Sequence, residues 1–81
     1  MEKMRIYDLG CRELIDLKNG SRIGYAADAE VDIETGRVIS LVVPGRLRFF
    51  GLLGREPDVL IPWERIERIG DDMILVGGDR E

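Results

Sequence analysis

The sequence predicts an all-β domain: a small β-dominated barrel with at most one short helical turn. Three observations predict it. Residues 23–33 alternate with period 2, the repeat of a strand with one face inward. Turn signals recur at Asn19-Gly20, at 34–37 and at 70–72. The stretch 59–76, VLIPWERIERIGDDMILV, organises the chain: a strand, one turn of helix or 3₁₀, and a closing hairpin.

Each element has its own warrant. Residues 4–7 alternate and are expected to form a short first strand, with Asp8 capping a brief helical turn through Gly10 and Arg12. A second short strand is expected over 13–17. Asn19-Gly20 then supplies two residues that tolerate positive φ, which a two-residue hairpin turn requires. In the run 23–33 the odd positions Ile23, Tyr25, Ala27, Ala29, Val31 and Ile33 are expected to face inward. The run is long for one strand, so Gly24 marks a bend or bulge, and Ala27 and Ala29 leave room for curvature. Gly36 takes the left-handed position of the next turn. Residues 38–43 are apolar on both faces, which suits a central strand, and Pro44-Gly45 ends it. Pro62 suits a strand edge or the first position of a helical turn.

Residues 46–57, RLRFFGLLGREP, break the pattern. Arg46, Arg48 and Arg55 alternate with Leu47, Phe49, Phe50, Leu52 and Leu53, and no strand or helix period survives. This is read as a long excursion between two strands. Residues 77–81 are expected to fray. The whole chain, 1–81, reads as one domain.

Composition bounds the function. A chain of 81 residues has a small core, burying about 60–65% of its unfolded surface. With 44% hydrophobic and 35% charged residues it reads as globular, and ten glycines supply the turns. A net charge of −4 opposes general nucleic-acid binding. With one cysteine, Cys11, and no histidine, no internal disulfide or zinc set can be assembled. The thiol fits a reducing compartment, and no signal-type or membrane-length apolar run is present, so a cytoplasmic protein without a membrane span is expected.

The order ELIDLKNGSRIGYAADAEVDIETGRVISLVV, a gap, then VLIPWERIERIGDDMILV resembles the PRC-barrel domain. Within that family it is most similar to the small stand-alone YlmC/YmxH sporulation group. The resemblance covers 4–76 and rests on Asn19-Gly20 with Ile23-Gly24-Tyr25, Thr35-Gly36-Arg37, Ile61-Pro62-Trp63 and 69–72 taken together. The resemblance implies a small, strongly bent PRC-type β-barrel of five to six strands and a non-enzymatic, protein-binding role. Barrels of this kind occur in the photosynthetic reaction-centre H subunit and in a ribosome-maturation factor.

No catalytic, cofactor or metal site is expected. Asp28, Glu30, Asp32 and Glu34 recur two apart, as ligands do in calcium loops. However, Ile33 stands where such a loop needs glycine, and Ile39 where it needs the bidentate glutamate. The series is read as the solvent face of a strand, whose like charges a cationic partner would relieve. Asp71-Asp72 lacks any nucleophile or base beside it and is read as a turn. Trp63 is expected to be at least partly buried between Ile61 and Ile66.

The candidate interface is Arg46, Arg48, Phe49, Phe50, Leu52, Leu53 and Arg55, because arginine and aromatic residues favour interface centres; the alternative is that this loop folds back as a cover over an open end of the barrel. The expected partner is a second copy of the chain in a homodimer, with these arginines against the partner's acidic strand. The reading is an accessory protein-interaction module linked to sporulation. The alternative is an RNA or ribosome-assembly accessory that uses the Arg-Phe loop, which the acidity opposes.

Overall fold

The structure, a computed structural model, describes residues 3–45, 54 and 56–78. Its elements are α1 (Ile6–Gly10), β1 (Glu13–Asp16), β2 (Arg22–Tyr25), β3 (Asp28–Val31), β4 (Val38–Val43), β5 (Val59–Pro62), a 3₁₀ turn (Trp63–Arg65), β6 (Ile66–Ile69) and β7 (Met73–Val76). The stretch 59–76 thus folds as strand, 3₁₀ turn and hairpin, as its sequence indicates.

Two hairpins close through the same local device. In the first, Asp16 Oδ1 accepts from Lys18 N at 2.8 Å, and Asp16 O accepts from Gly20 N at 2.7 Å. In the second, Asp32 Oδ1 accepts from Glu34 N at 2.9 Å, and Asp32 O accepts from Gly36 N at 2.7 Å. The chain at both sites reads Asp, an aliphatic residue, two polar residues and Gly: DLKNG and DIETG. The aspartate's own carboxylate nucleates the turn, and Gly20 (φ 72°) and Gly36 (φ 74°) finish it in the left-handed region.

The strands form two sheets, ordered β2-β1-β7-β6 and β3-β4-β5. All pairings are antiparallel except β1 with β7. The chain passes between the sheets at two corners, one at Ala26-Ala27 from β2 to β3, the other through the 3₁₀ turn from β5 to β6. Strands that change sheets at a corner are what bend a small barrel. The first corner is tied down by Ala27 N–H, which donates to Val42 O at 2.9 Å. The second is tied at the far end of β7. Gly77 N–H donates to Arg65 O at 2.7 Å, and the Arg65 guanidinium returns two bonds to Gly77 O at 3.0 and 2.9 Å.

The core lies between the sheets: Leu9, Leu14, Ala26, Leu41, Val43, Ile61, Ile74 and Val76 are buried, with Met4, Ile23, Ala29, Trp63 and Ile66 packed against them. The strand β4 is central, as its two-faced composition indicates; Ser40, Leu41 and Val43 are buried, Val38 and Val42 half-buried and Ile39 exposed.

Three expectations are corrected. Residues 4–7 are not a strand; Ile6 and Tyr7 begin α1, whose first turn is closed by Arg5 N–H donating to Asp8 Oδ2 at 2.9 Å. The run 23–33 is two strands in different sheets, which brings the strand count among the described residues to seven. Its odd positions do not all face inward: Tyr25, Val31 and Ile33 are exposed, Ile33 at 96%. The reason is a phase slip. A bulge between Leu14 and Ile15 in the β1–β2 pairing leaves Ile23 as an extra residue beside Gly24. The corner then buries the even-numbered Ala26.

Candidate interaction surface

The three-stranded sheet has an inner and an outer row of side chains. Its register sets Ala29, Leu41 and Ile61 side by side on the face turned to the core. One residue along, Asp28, Val42 and Leu60 form a row on the opposite face, with Glu30, Ser40 and Pro62 beside it. Ile61 is 2% exposed and Leu60 52%. The outer face is graded: acidic on β3, apolar on β4 and β5. Ser40 is buried within it, its hydroxyl donating to Glu30 Oε1 at 2.7 Å.

The edges of the sheet follow from one bond. Val42 O accepts from Ala27 N, so the polar groups of Val42 point toward β3. By antiparallel alternation those of Leu41 and Val43 point toward β5 and meet Ile61 and Val59. Leu60 and Pro62 therefore turn their backbone groups away from β4. Pro62, which has no N–H to offer a ladder, occupies a position where none is needed.

The excursion leaves and re-enters at the end of this sheet through a closed neck. Gly45 N–H donates to Asp58 Oδ1 at 3.0 Å. A Cβ at Gly45 would collide with the backbone of Glu56 and Pro57, so glycine lets the two arms meet. The sequence-predicted interface residues Arg46, Arg48, Phe49, Phe50, Leu52, Leu53 and Arg55 lie outside the described residues.

A scan against family models matches the PRC-barrel domain over residues 1–81. The chain belongs to the PRC-barrel family. A search of curated proteins agrees. The chain is 30% identical to "Probable sporulation protein YlmC" of Bacillus subtilis over 71 residues, 88% of each chain. It is 33% identical to "Uncharacterized protein YmxH" of the same organism over 75 residues, 90% of this chain and 87% of the relative. An uncharacterized protein of Clostridium acetobutylicum is 39% identical over 67 residues, covering 83% and 76%. The two-sheet arrangement with corners at 26–27 and 63–65 is this PRC barrel's way of bending.

The remaining sequence-predicted residues have structural partners in the PRC barrel. Asp28 Oδ1 accepts from Ala29 N at 2.8 Å, Glu30 holds Ser40, and Asp32 builds its hairpin, so the acidic series is tied into the fold at three points. Asp71 O accepts from Arg12 Nε at 3.1 Å, and Asp72 O from Glu13 N at 3.3 Å, which makes this turn the anchor for the start of β1. Trp63 opens the 3₁₀ turn, half-buried against the core. Among the described residues no helix is long and apolar enough to cross a membrane.

Sequence reasoning missed two features. The first is the apolar outer row itself, because which of two adjacent apolar residues faces out depends on register. The second is a hollow of about 380 Å³ between α1 and the first corner, lined by Ile6, Tyr7, Leu9, Cys11, Ala26 and Ala27 among others. Tyr7 is exposed there, and its phenol titrates above its ordinary value because it hydrogen-bonds Cys11, whose charge adds to the effect.

Proposed function

We propose that this PRC barrel is a protein-interaction module without enzymatic chemistry of its own, a cytoplasmic accessory to sporulation that self-associates. The observation that carries the reading is the apolar outer row of the three-stranded sheet. Val42, Leu60 and Pro62 lie on one face of a rigid sheet, beside the neck of an excursion rich in arginine and phenylalanine. Large apolar side chains held in water favour burial against a partner, at about 25 cal/mol per Å² covered. A second copy is the commonest partner, in a two-fold dimer. The name of the curated relative YlmC supports the link to sporulation.

Light scattering behind size exclusion tests the reading. At tens of micromolar the mass is expected near twice 9.2 kDa. The variant Phe49→Ser with Phe50→Ser is expected to keep its β circular dichroism and move toward monomer. A wild-type monomer across that range contradicts self-association.

A further inference from the structure

The four outer edges of the described sheets differ in how they are protected. The β2 edge carries exposed Arg22 and the bulge beside Gly24. The β3 edge carries Asp28 and Glu30, with a register shift at Glu30/Val31. The β6 edge carries Glu67 and Arg68, with a register shift between Ile66 and Arg68. Charges and bulges of this kind keep strand edges from pairing with other chains. The β5 edge, Val59–Pro62, has no charged residue and no bulge, since its pairing with β4 runs in unbroken register; Pro62 at its end is its one protective feature.

We infer that β5 is the seam of self-association: it pairs antiparallel with β5 of a second copy, with the two-fold axis passing at Leu60. This rests on the proposed self-association and locates it. The register is set by what the edge offers. Leu60 turns both its N–H and its C=O outward, so two copies exchange two bonds, N–H to C=O in each direction, across the axis. Two residues along, Pro62 lies opposite the partner's Asp58. There the proline's carbonyl accepts from the Asp58 N–H, but the return bond to the Asp58 carbonyl is absent because proline has no N–H, so the ladder is short by one bond on each side of the axis. The side chain of Leu60 meets the same leucine on the outer face. On the inner face Val59, 45% exposed in the single chain, comes to the register position of the partner's Ile61, whose own side chain is already buried in its core. The sheet becomes six strands, β3-β4-β5 continued by its own copy, with the acidic β3 strands at the two far ends.

Charge decides for β5 over the other edges. Self-pairing on β3 would set Asp28 and Glu30 against the same carboxylates. Self-pairing on β5 brings no like charge into the seam. Asp58, beside it, already gives a carboxylate oxygen to Gly45 N–H. A strand of four residues buries much less than the roughly 800 Å² per partner of a standard interface, so the seam alone gives a weak dimer.

A charge-swap pair tests the seam. Leu60→Lys and Leu60→Glu alter a half-exposed side chain and keep the backbone N–H. Each alone is expected to weaken self-association by about tenfold or more, because like charges then face each other across the axis. An equal mixture of the two is expected to recover the dimer as a heterodimer. A third variant, Leu60→Cys with Cys11→Ser, is expected to cross-link into a disulfide dimer under mild oxidation, and it needs no charged residue at the edge. Dimers that persist in both charged variants, or a mixture that stays monomeric, overturn the seam while leaving self-association standing. A monomeric wild type overturns both.

Discussion

Leu60 and Ile61 are neighbours in the chain, isomers in chemistry, and opposites in position. Ile61 is sealed between Leu41 and the core, while Leu60 stands half in water beside Val42. One step along a strand reverses the face, so the same apolar composition is buried in the core at one residue and exposed on the outer face at the next. The comparison teaches that the hydrophobicity of 59–61 cannot be assigned to folding as a block. It divides by parity, and the division sets which variants unfold the protein and which change its associations.

The largest expected effect is at the buried member. Ile61→Ala should lower stability by about 2–5 kcal/mol, through lost burial and the cavity left behind. Urea denaturation near 1 µM, a concentration at which the proposed weak dimer would be dissociated, reads this directly. A loss below about 1 kcal/mol would mean that Ile61 is not a core residue and would break the comparison.

Trp63 sharpens it from the next corner. It is half-buried, so Trp63→Ala should cost about 2 kcal/mol, short of a fully buried aromatic. Its fluorescence should shift to longer wavelength on unfolding. A negligible cost would assign the ring to binding instead.

Ser40 tests the outer face at its one buried polar point. Removing the hydroxyl with Ser40→Ala frees Glu30 from its 2.7 Å bond and should cost about 0.5–1.5 kcal/mol in the same denaturation assay. An unchanged midpoint would show that the pair does not hold β3 to β4.

The smallest expected effect is spectroscopic, at the hollow beside α1. Cys11→Ala removes the hydrogen bond and the charge that raise the Tyr7 phenol, so its titration should move back toward its ordinary value. Absorbance titration in alkali of the wild type and the variant follows it. No movement would show that the two side chains do not meet.

These contrasts also explain what could be read from the chain before folding. The hairpins were legible through their glycines, Gly20 after Asn19 and Gly36 after Thr35, because turn chemistry is local; the capping role of Asp16 and Asp32 was not, since an aspartate at a strand end also reads as a solvent-facing charge. The order strand, 3₁₀ turn, hairpin in 59–76 was legible because Pro62 and 70–72 punctuate it. The break in 23–33 was not, because a bulge and a corner shift the phase without ending the alternation. Four alternating residues at 4–7 carried too little signal against the Arg5–Asp8 bond that starts a helix. The edge status of β5 was invisible, since it depends on which strands pair across the whole molecule.

The central claim is that parity along β5 separates folding from association. Leu60→Ala and Ile61→Ala, studied side by side, test it most directly. Stability is read near 1 µM and mass by light scattering at tens of micromolar. The account predicts that Ile61→Ala loses about 2–5 kcal/mol, while Leu60→Ala loses under about 1 kcal/mol yet shifts toward monomer. Two variants that lose stability alike, or a Leu60→Ala protein with the mass of the wild type, would contradict it.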